Sequence, residues 1–286
     1  LRPAPANGDP MLTVGTLAFD VPAVMGILNV TPDSFSDGGR FVGRDAAVRQ
    51  AEAMARDGAH IIDVGGESTR PGAADVSEQE ELDRVIPVIE AVVAAVDVPV
   101  SVDTSKPGVM RAAVGAGGAM INDVRALREE GALQAAVELQ RPVCLMHMLG
   151  KPRTMQQRPE YGDVVADVRD FLAQRVGECV AAGLAEDSII VDPGFGFGKT
   201  ARHNVELLSN LRQLRATGRP ILVGLSRKST LGDLTGRDVE ERMSASIAAA
   251  VIAGIKGAAI VRVHDVRDTV DALRVAAAIM ERERVR

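Results

Sequence analysis

The sequence predicts an α/β fold, a single (β/α)8 TIM barrel with an N-terminal β-hairpin. Three observations predict it. Runs of β-branched and apolar residues alternate with Ala-rich helical stretches eight times along 286 residues. Continuous apolar runs followed by helices read as parallel strands buried on both faces. The length suits one barrel of about 250 residues. Finally, each apolar run ends in a polar or charged residue, and in a barrel those ends converge on one rim. The composition agrees: 46% of residues are hydrophobic but only 2% aromatic, with no Trp. The core must then be built from Val, Ile, Leu and Ala, as barrel interiors are.

Taken in order, the first ten residues, Leu-Arg-Pro-Ala-Pro-Ala-Asn-Gly-Asp-Pro, have no apolar core. Residues 1–11 read as a disordered tail rather than a signal peptide. Residues 12–14 and 17–19 around Gly15-Thr16 read as a small hairpin, expected to plug the barrel floor. Strands are expected to start near Val24, Ile61, Val100, Met120, Val143, Ile189, Ile221 and Ala258. Helices are expected over 45–57, 77–96, 107–115, 131–139, 164–182, 204–215, 240–255 and 267–284. No linker interrupts this series, so 12–286 reads as one domain. The most apolar helix, near 245–255, is broken by Gly254 and Lys256 and is too short to span a bilayer.

The formal charge is −6, which argues against nucleic acid or an anionic membrane as the main partner. Cys144 and Cys179 have no metal or redox spacing. They read as buried reduced thiols of a cytoplasmic protein.

The strand ends carry the functional signal. In order they are Asn29, Asp63, Asp103, Asn122, His147, Asp192, the run Ser226-Arg227-Lys228, and Arg262 with His264. Each alone is explained as well by capping of the next helix or turn; eight in succession are not. Acids and an amide (Asp103, Asn122, Asp192) come from the third, fourth and sixth strands. Cations (Arg227, Lys228, Arg262, beside His264) come from the seventh and eighth. Barrels commonly bind phosphate after their last two strands. Arg262 and His264 are two apart and share a strand face, which suits a phosphate or diphosphate. Carboxylates and an amide opposite suit a ligand edge rich in N–H donors, such as an aminopyrimidinone. Asn29 faces the same space and could hold magnesium beside a diphosphate, since that ion needs few protein oxygens; turn initiation explains it equally.

Two motifs mislead. The run Gly194-Phe-Gly-Phe-Gly-Lys-Thr looks like a P-loop, but Pro193 stands where the Walker pattern needs its first Gly. A glycine-lined ligand wall is the better reading, with Phe197 against a ring. His147 and His264 lack a third N or S ligand at zinc spacing, and His60 and His203 read as surface or capping residues. The polar, Gly-rich loops 31–40 and 65–74 flank the rim and are expected to order over a substrate, with Asp33 or Asp37 pairing with Arg70.

Eight blocks, one for each strand, carry a resemblance. They are MGILNVTPDSFSDGG from Met25, IDVGGESTRPGA from Ile62, SVDTSKP from Ser101, IND from Ile121, LMHM from Leu145, DPGFGFGK from Asp192, GLSRKS from Gly224 and RVHDV from Arg262. In order and content the chain resembles the bacterial dihydropteroate synthases of folate biosynthesis. The resemblance implies condensation of 6-hydroxymethyl-7,8-dihydropterin diphosphate with para-aminobenzoate, using Mg2+. It implies that Asp103, Asn122, Met146, Asp192, Phe197 and Lys228 bind the pterin. Phe35, Thr69, Arg70, Pro71 and Ser229, with Lys228, would hold para-aminobenzoate near a helix N-terminus. Asn29 (with the metal), Arg262 and His264 would meet the diphosphate, and Asp103, Lys228, Arg262 and His264 would act in catalysis. Diphosphate would leave early, and the arylamine would capture a cationic pterin. Sulfonamide sensitivity and a homodimer, with close packing at the small residues of 244–257, are further implications. The rivals are a pterin-binding methyltransferase, which would leave GLSRKS and RVH without a task, and a non-catalytic pterin-binding paralogue.

Overall fold

The computed structural model describes residues 13–14, 17–18, 22–30, 39–68, 75–150, 155 and 159–284. Strands β1 (Thr13–Val14) and β2 (Leu17–Ala18) pair antiparallel as the expected hairpin. Eight strands follow: β3 (Ala23–Asn29), β4 (Ile61–Gly65), β5 (Val100–Asp103), β6 (Met120–Asp123), β7 (Val143–Met146), β8 (Ile189–Asp192), β9 (Leu222–Val223) and β10 (Ile260–Val263). They form one sheet in the order β8-β7-β6-β5-β4-β3-β10-β9, and every adjacent pair is parallel. A single bridge, Val191 to Ile221, joins the two ends and closes the ring. The predicted barrel is the fold.

Strand parity explains which side chains meet. Ala23, Met25, Ile61, Met120, Cys144, Ile190, Leu222 and Ile260 form one buried cluster inside the barrel. Their neighbours in sequence, among them Val24, Ile62, Val102, Ile121, Val143, Val191 and Val261, point outward and pack with the helices. Alternation at period two sends adjacent residues to opposite faces. Because both faces are buried, the strands read as unbroken apolar runs.

Among the described residues, helices α1 (Gly39–Arg56), α2 (Glu78–Ala95), α3 (Pro107–Gly115), α4 (Ala132–Leu139), α5 (Val164–Ala181), α6 (Ala201–Ser209), α7 (Ser229–Thr235), α8 (Met243–Ile255) and α9 (Val266–Arg284) follow the strands in turn. Their starts are written locally. Ser77 caps α2 by accepting from Glu80 N at 3.2 Å, and Glu78, Glu80 and Glu81 favour the positive end of its dipole. Pro107 opens α3, where its missing N–H costs nothing. Asp163 caps α5 through the amides of Val165 and Ala166. Thr200 and His203 form a reciprocal capping box on α6, so His203 is the capping residue the sequence suggested. Gly26 lets α1 approach β3: a Cβ there would meet Met54 Sδ at 2.8 Å.

Three helix expectations need correction. The helix expected over 45–57 begins earlier, at Gly39. The helix expected over 204–215 ends at Ser209 and continues as a 3-10 segment, Leu211–Thr217. The break falls at Asn210, whose backbone leaves helical geometry (φ −109°, ψ 19°) while its own N–H and its side-chain amide both donate to Glu206 O. The helix expected from 240 begins at Met243, after a separate 3-10 turn, Val239–Glu241. No helix among the described residues is long and apolar enough to cross a membrane.

Candidate active site

One register step above the apolar inner layer, the same strand face changes character. Ile61 is followed two residues on by Asp63, Met120 by Asn122, Ile190 by Asp192 and Ile260 by Arg262, while Cys144 is followed by Met146, which stays apolar. On β5, Asp103 ends the strand beside Asn122 of β6, its register partner. These residues sit at the C-terminal ends of the strands, the rim where barrels do chemistry.

Arg262 organises the rim. Its Nε donates to Asp63 Oδ2 at 2.7 Å, and a terminal nitrogen donates to Asp103 Oδ2 at 2.8 Å. Asn122 Nδ2 donates to the same Asp63 oxygen at 3.1 Å. Asp63 is fully buried, and its other oxygen, Oδ1, has no hydrogen-bond partner among the described residues. Burial works against the Arg262 charge, but Asp63 and Asp103 outweigh it and hold the guanidinium protonated well beyond its ordinary range. Burial pushes the Asp103 carboxyl up to about 7; Arg262 opposes the shift and Asp63 adds to it. Asp192 is likewise pushed to about 6 by burial, although it accepts from Gly194 N at 2.6 Å. Lys228 is drawn down to about 8 by burial and by Arg262. Its ammonium lies 4.2 Å from the centre of the Phe197 ring, a cation–π contact.

The structure therefore brings Asp103, Asn122, Asp192, Lys228 and Arg262 to one place. Phe197 joins them on the glycine-rich turn, in a buried cluster with Met146, Val124, Met148 and Met155. Asn29 ends β3 close by: a Cβ built on Gly65 would lie 3.8 Å from Asn29 Oδ1 and 3.7 Å from Asp103 Oδ2. His264 stands just past β10, with Nδ1 3.0 Å from Ser226 Oγ. Burial, then Arg227 and Arg262, pull its imidazole down to about 4, so it is neutral near pH 7. Ser229 opens α7 and is exposed; that helix has seven residues. Phe35, Thr69, Arg70 and Pro71 lie outside the described residues, as do Asp33 and Asp37.

The expected cation cluster is narrower than its sequence suggests. Arg227 adopts a left-handed backbone, φ 58°, and its guanidinium pairs with Asp265 at 2.6 Å. Two further residues belong to the site's surroundings. Asp63 is visible in the sequence as a strand end, but its partnership with Arg262 spans 199 residues. Lys199, inside the P-loop-like run, is buried and hydrogen-bonded to His147.

The site also fits magnesium in one specific way. Among the described residues no three His, Cys, Asp or Glu side chains group as a metal cage. The absent side chain of Gly65 instead leaves room beside the oxygens of Asn29 and Asp103. A hard cation taking most of its ligands from phosphate and water suits that donor set.

A barrel rim that sets buried acids and an amide beside cations can bind a donor-rich, phosphorylated heterocycle. Residues 25–264 match the model of the pterin binding enzyme family, to which the chain belongs. Within that family its relatives are dihydropteroate synthases. The Escherichia coli (strain K12) enzyme of that name is 54% identical over 265 residues, 93% of this chain and 94% of its own. Among solved structures, the Yersinia pestis dihydropteroate synthase with a sulfonamide drug superimposes with a TM-score of 0.90 at 51% identity, covering 95% of this chain and all of the other. The Xanthomonas albilineans synthase with 4-aminobenzoic acid gives a TM-score of 0.90 at 52% identity, covering 96% and 99%.

Proposed function

We propose that this chain is a transferase that condenses 6-hydroxymethyl-7,8-dihydropterin diphosphate with para-aminobenzoate, giving 7,8-dihydropteroate and diphosphate. One observation carries the site assignment. Arg262 is fixed between two buried carboxylates, while Asn122, Asp192 and Lys228 surround the same space. The aminopyrimidinone edge of the pterin would offer its N–H groups to Asp192 and Asp103, and Asn122 would take the mixed donor and acceptor positions. Asp103, ionised above about pH 7, would also stabilise positive charge that develops on the pterin as diphosphate leaves.

Arg262 and neutral His264 would donate to the departing diphosphate, and Asn29 would hold magnesium against it. When bound, that ion neutralises phosphate charge and assists the leaving group. Because the arylamine is already nucleophilic, the chain needs no strong general base. Lys228 and Ser229 would bracket para-aminobenzoate together with Phe35, Thr69, Arg70 and Pro71. Closure of loops 31–40 and 65–74 would exclude the water that could otherwise capture the cation.

The proposal extends to a single domain over 12–286 and to a cytoplasmic setting, with which the two buried, unpaired cysteines agree. It also includes a homodimer. Exposed Met243, Ile252 and Ile255 on α8, with Val275 and Ile279 on α9, supply apolar surface on two helices packed together, and light scattering at micromolar concentration tests it. Sulfonamides are expected to compete with para-aminobenzoate; unchanged turnover at saturating sulfonamide and limiting para-aminobenzoate would sink that expectation. The deciding assay measures diphosphate release with magnesium, with and without para-aminobenzoate, for the wild type and Asp103→Ala. Release that depends on the arylamine and collapses in the variant supports the proposal. Pterin binding without release would point to a methyltransferase or an inactive paralogue.

A further inference from the structure

We propose that Lys199 is a positioning residue of the pterin site, fastening the turn that carries Phe197 and supports Asp192 onto the end of β7. The inference rests on the pterin reading above. Lys199 is 3% exposed. Its ammonium contacts His147 Nδ1 at 2.9 Å, Gly194 O at 2.9 Å and Phe197 O at 3.1 Å. In its protonated form the group's three N–H donors meet these three acceptors. A fourth oxygen, His147 O, lies at 3.4 Å.

The turn itself is pressed against β7. Gly194 has φ 68°, and a Cβ there would lie 1.9 Å from His147 O. Gly198 has φ 63°, and a Cβ there would lie 2.7 Å from Leu149 O. Only glycine allows this backbone at so close an approach. The same turn serves the rim at both ends. Gly194 N holds Asp192 Oδ1 at 2.6 Å, and Phe197 sets its ring under Lys228. Among the described residues, Lys199 is the one side chain that binds carbonyls at both positions, Gly194 and Phe197. Its other partner, His147, is itself fixed edge-on against Phe171, with ring centres 4.9 Å apart. Burial lowers the Lys199 ammonium to about 7 and His147 to about 2, so the imidazole is neutral and can accept. A methionine of similar length would fill the space without the cost of burying an amine. The amine instead gives Phe197 O a donor and adds a second donor at Gly194 O, which the Phe197 amide already reaches at 3.1 Å.

Lys199→Met tests this by calorimetric titration with the pterin diphosphate and magnesium, read beside the KM for para-aminobenzoate. The expected result is a dissociation constant raised about tenfold or more, as small misplacements of a site commonly produce, with the para-aminobenzoate KM changed less than about twofold. A double-mutant cycle with Phe197→Leu separates positioning from general support. Non-additive losses are expected, because Lys199 acts through the turn that holds Phe197. Wild-type affinity in Lys199→Met, or losses that multiply independently, would overturn the inference. If Lys199→Met does not fold, His147→Leu and His147→Asn decide. The first removes the acceptor and should weaken pterin binding several-fold; the second keeps an acceptor near Nδ1 and should restore it. Equal, wild-type affinity in both variants would overturn the inference. A wild type that binds no pterin diphosphate would overturn the pterin reading itself, a different failure.

Discussion

Two layers of the barrel interior differ by one register step and by almost everything else. The lower layer is apolar, with Met25, Ile61, Met120, Cys144, Ile190 and Ile260 closed on one another. The upper layer, two residues along the same strands, holds Asp63, Asn122, Asp192 and Arg262. Two residues of strand advance about 6.6 Å. Within that distance the main source of cohesion changes. Burial of apolar surface gives way to pairing of charges that burial has made costly. The lower layer supplies a rigid ring; the upper layer holds the residues proposed for the chemistry.

Four measurements test the division between the two layers, beginning with the largest expected effect. Arg262→Met should lower diphosphate release about 1000-fold while the barrel still folds, since it removes a preorganised cation from the reacting end. If activity survives, the upper layer is not the chemical one. Met120→Ala, directly below Asn122, should cost about 2–5 kcal/mol of stability in chemical denaturation through the cavity it leaves. Turnover per folded molecule should stay close to wild type, and a large drop there would dissolve the division between the layers.

The third measurement is pH dependence. Protonation of Asp103 below about 7, and of Asp192 below about 6, takes away acceptors for the pterin. Deprotonation of Lys228 above about 8 takes away a cation. kcat/KM for the pterin diphosphate should therefore be bell-shaped, with its maximum between about 7 and about 8. Stability has its own sign. Asp103 keeps its proton in the folded chain between 3.8 and about 7, where an unfolded carboxyl has lost it. Folding thus binds protons across that window, and the stability Asp103 allows at low pH is lost as the pH rises through it. Asp103→Asn should flatten that slope in thermal melts, and an unchanged slope would contradict the assignment. Smallest of all, Ile190→Val in the lower layer should cost about 0.5–1.5 kcal/mol and leave the pH profile untouched.

Much of this architecture is legible in the sequence, and the reasons are local. Period-two alternation and caps such as Ser77 and Asp163 act within a few residues, so strands and most helix starts follow from the sequence. The polar strand ends Asp103, Asn122, Asp192 and Arg262 converge because a barrel brings all such ends to one rim. What cannot be read there depends on distant partners. Nothing near Asp63 announces Arg262, and nothing near Arg227 announces that Asp265 would take its charge. Lys199 is hidden for another reason: its glycine-rich setting imitates a phosphate loop, while its hydrogen bonds go to backbone carbonyls and to a histidine at the end of β7.

The closure of the barrel has one more consequence. Seven of the eight strand junctions are hydrogen-bonded ladders, whereas β8 and β9 meet at the lone Val191–Ile221 bridge. That junction is a seam, and Asp192 stands on one side of it with Lys228 on the other. A pterin held by both would span the gap as a staple, favouring the shut ring over any state in which the seam has parted. Amide protons of residues 221–223 should then exchange with solvent faster than those of β4 or β5 in the free protein, and slow selectively when the pterin diphosphate is added. The substrate would be, for as long as it is bound, a structural part of the wall that binds it.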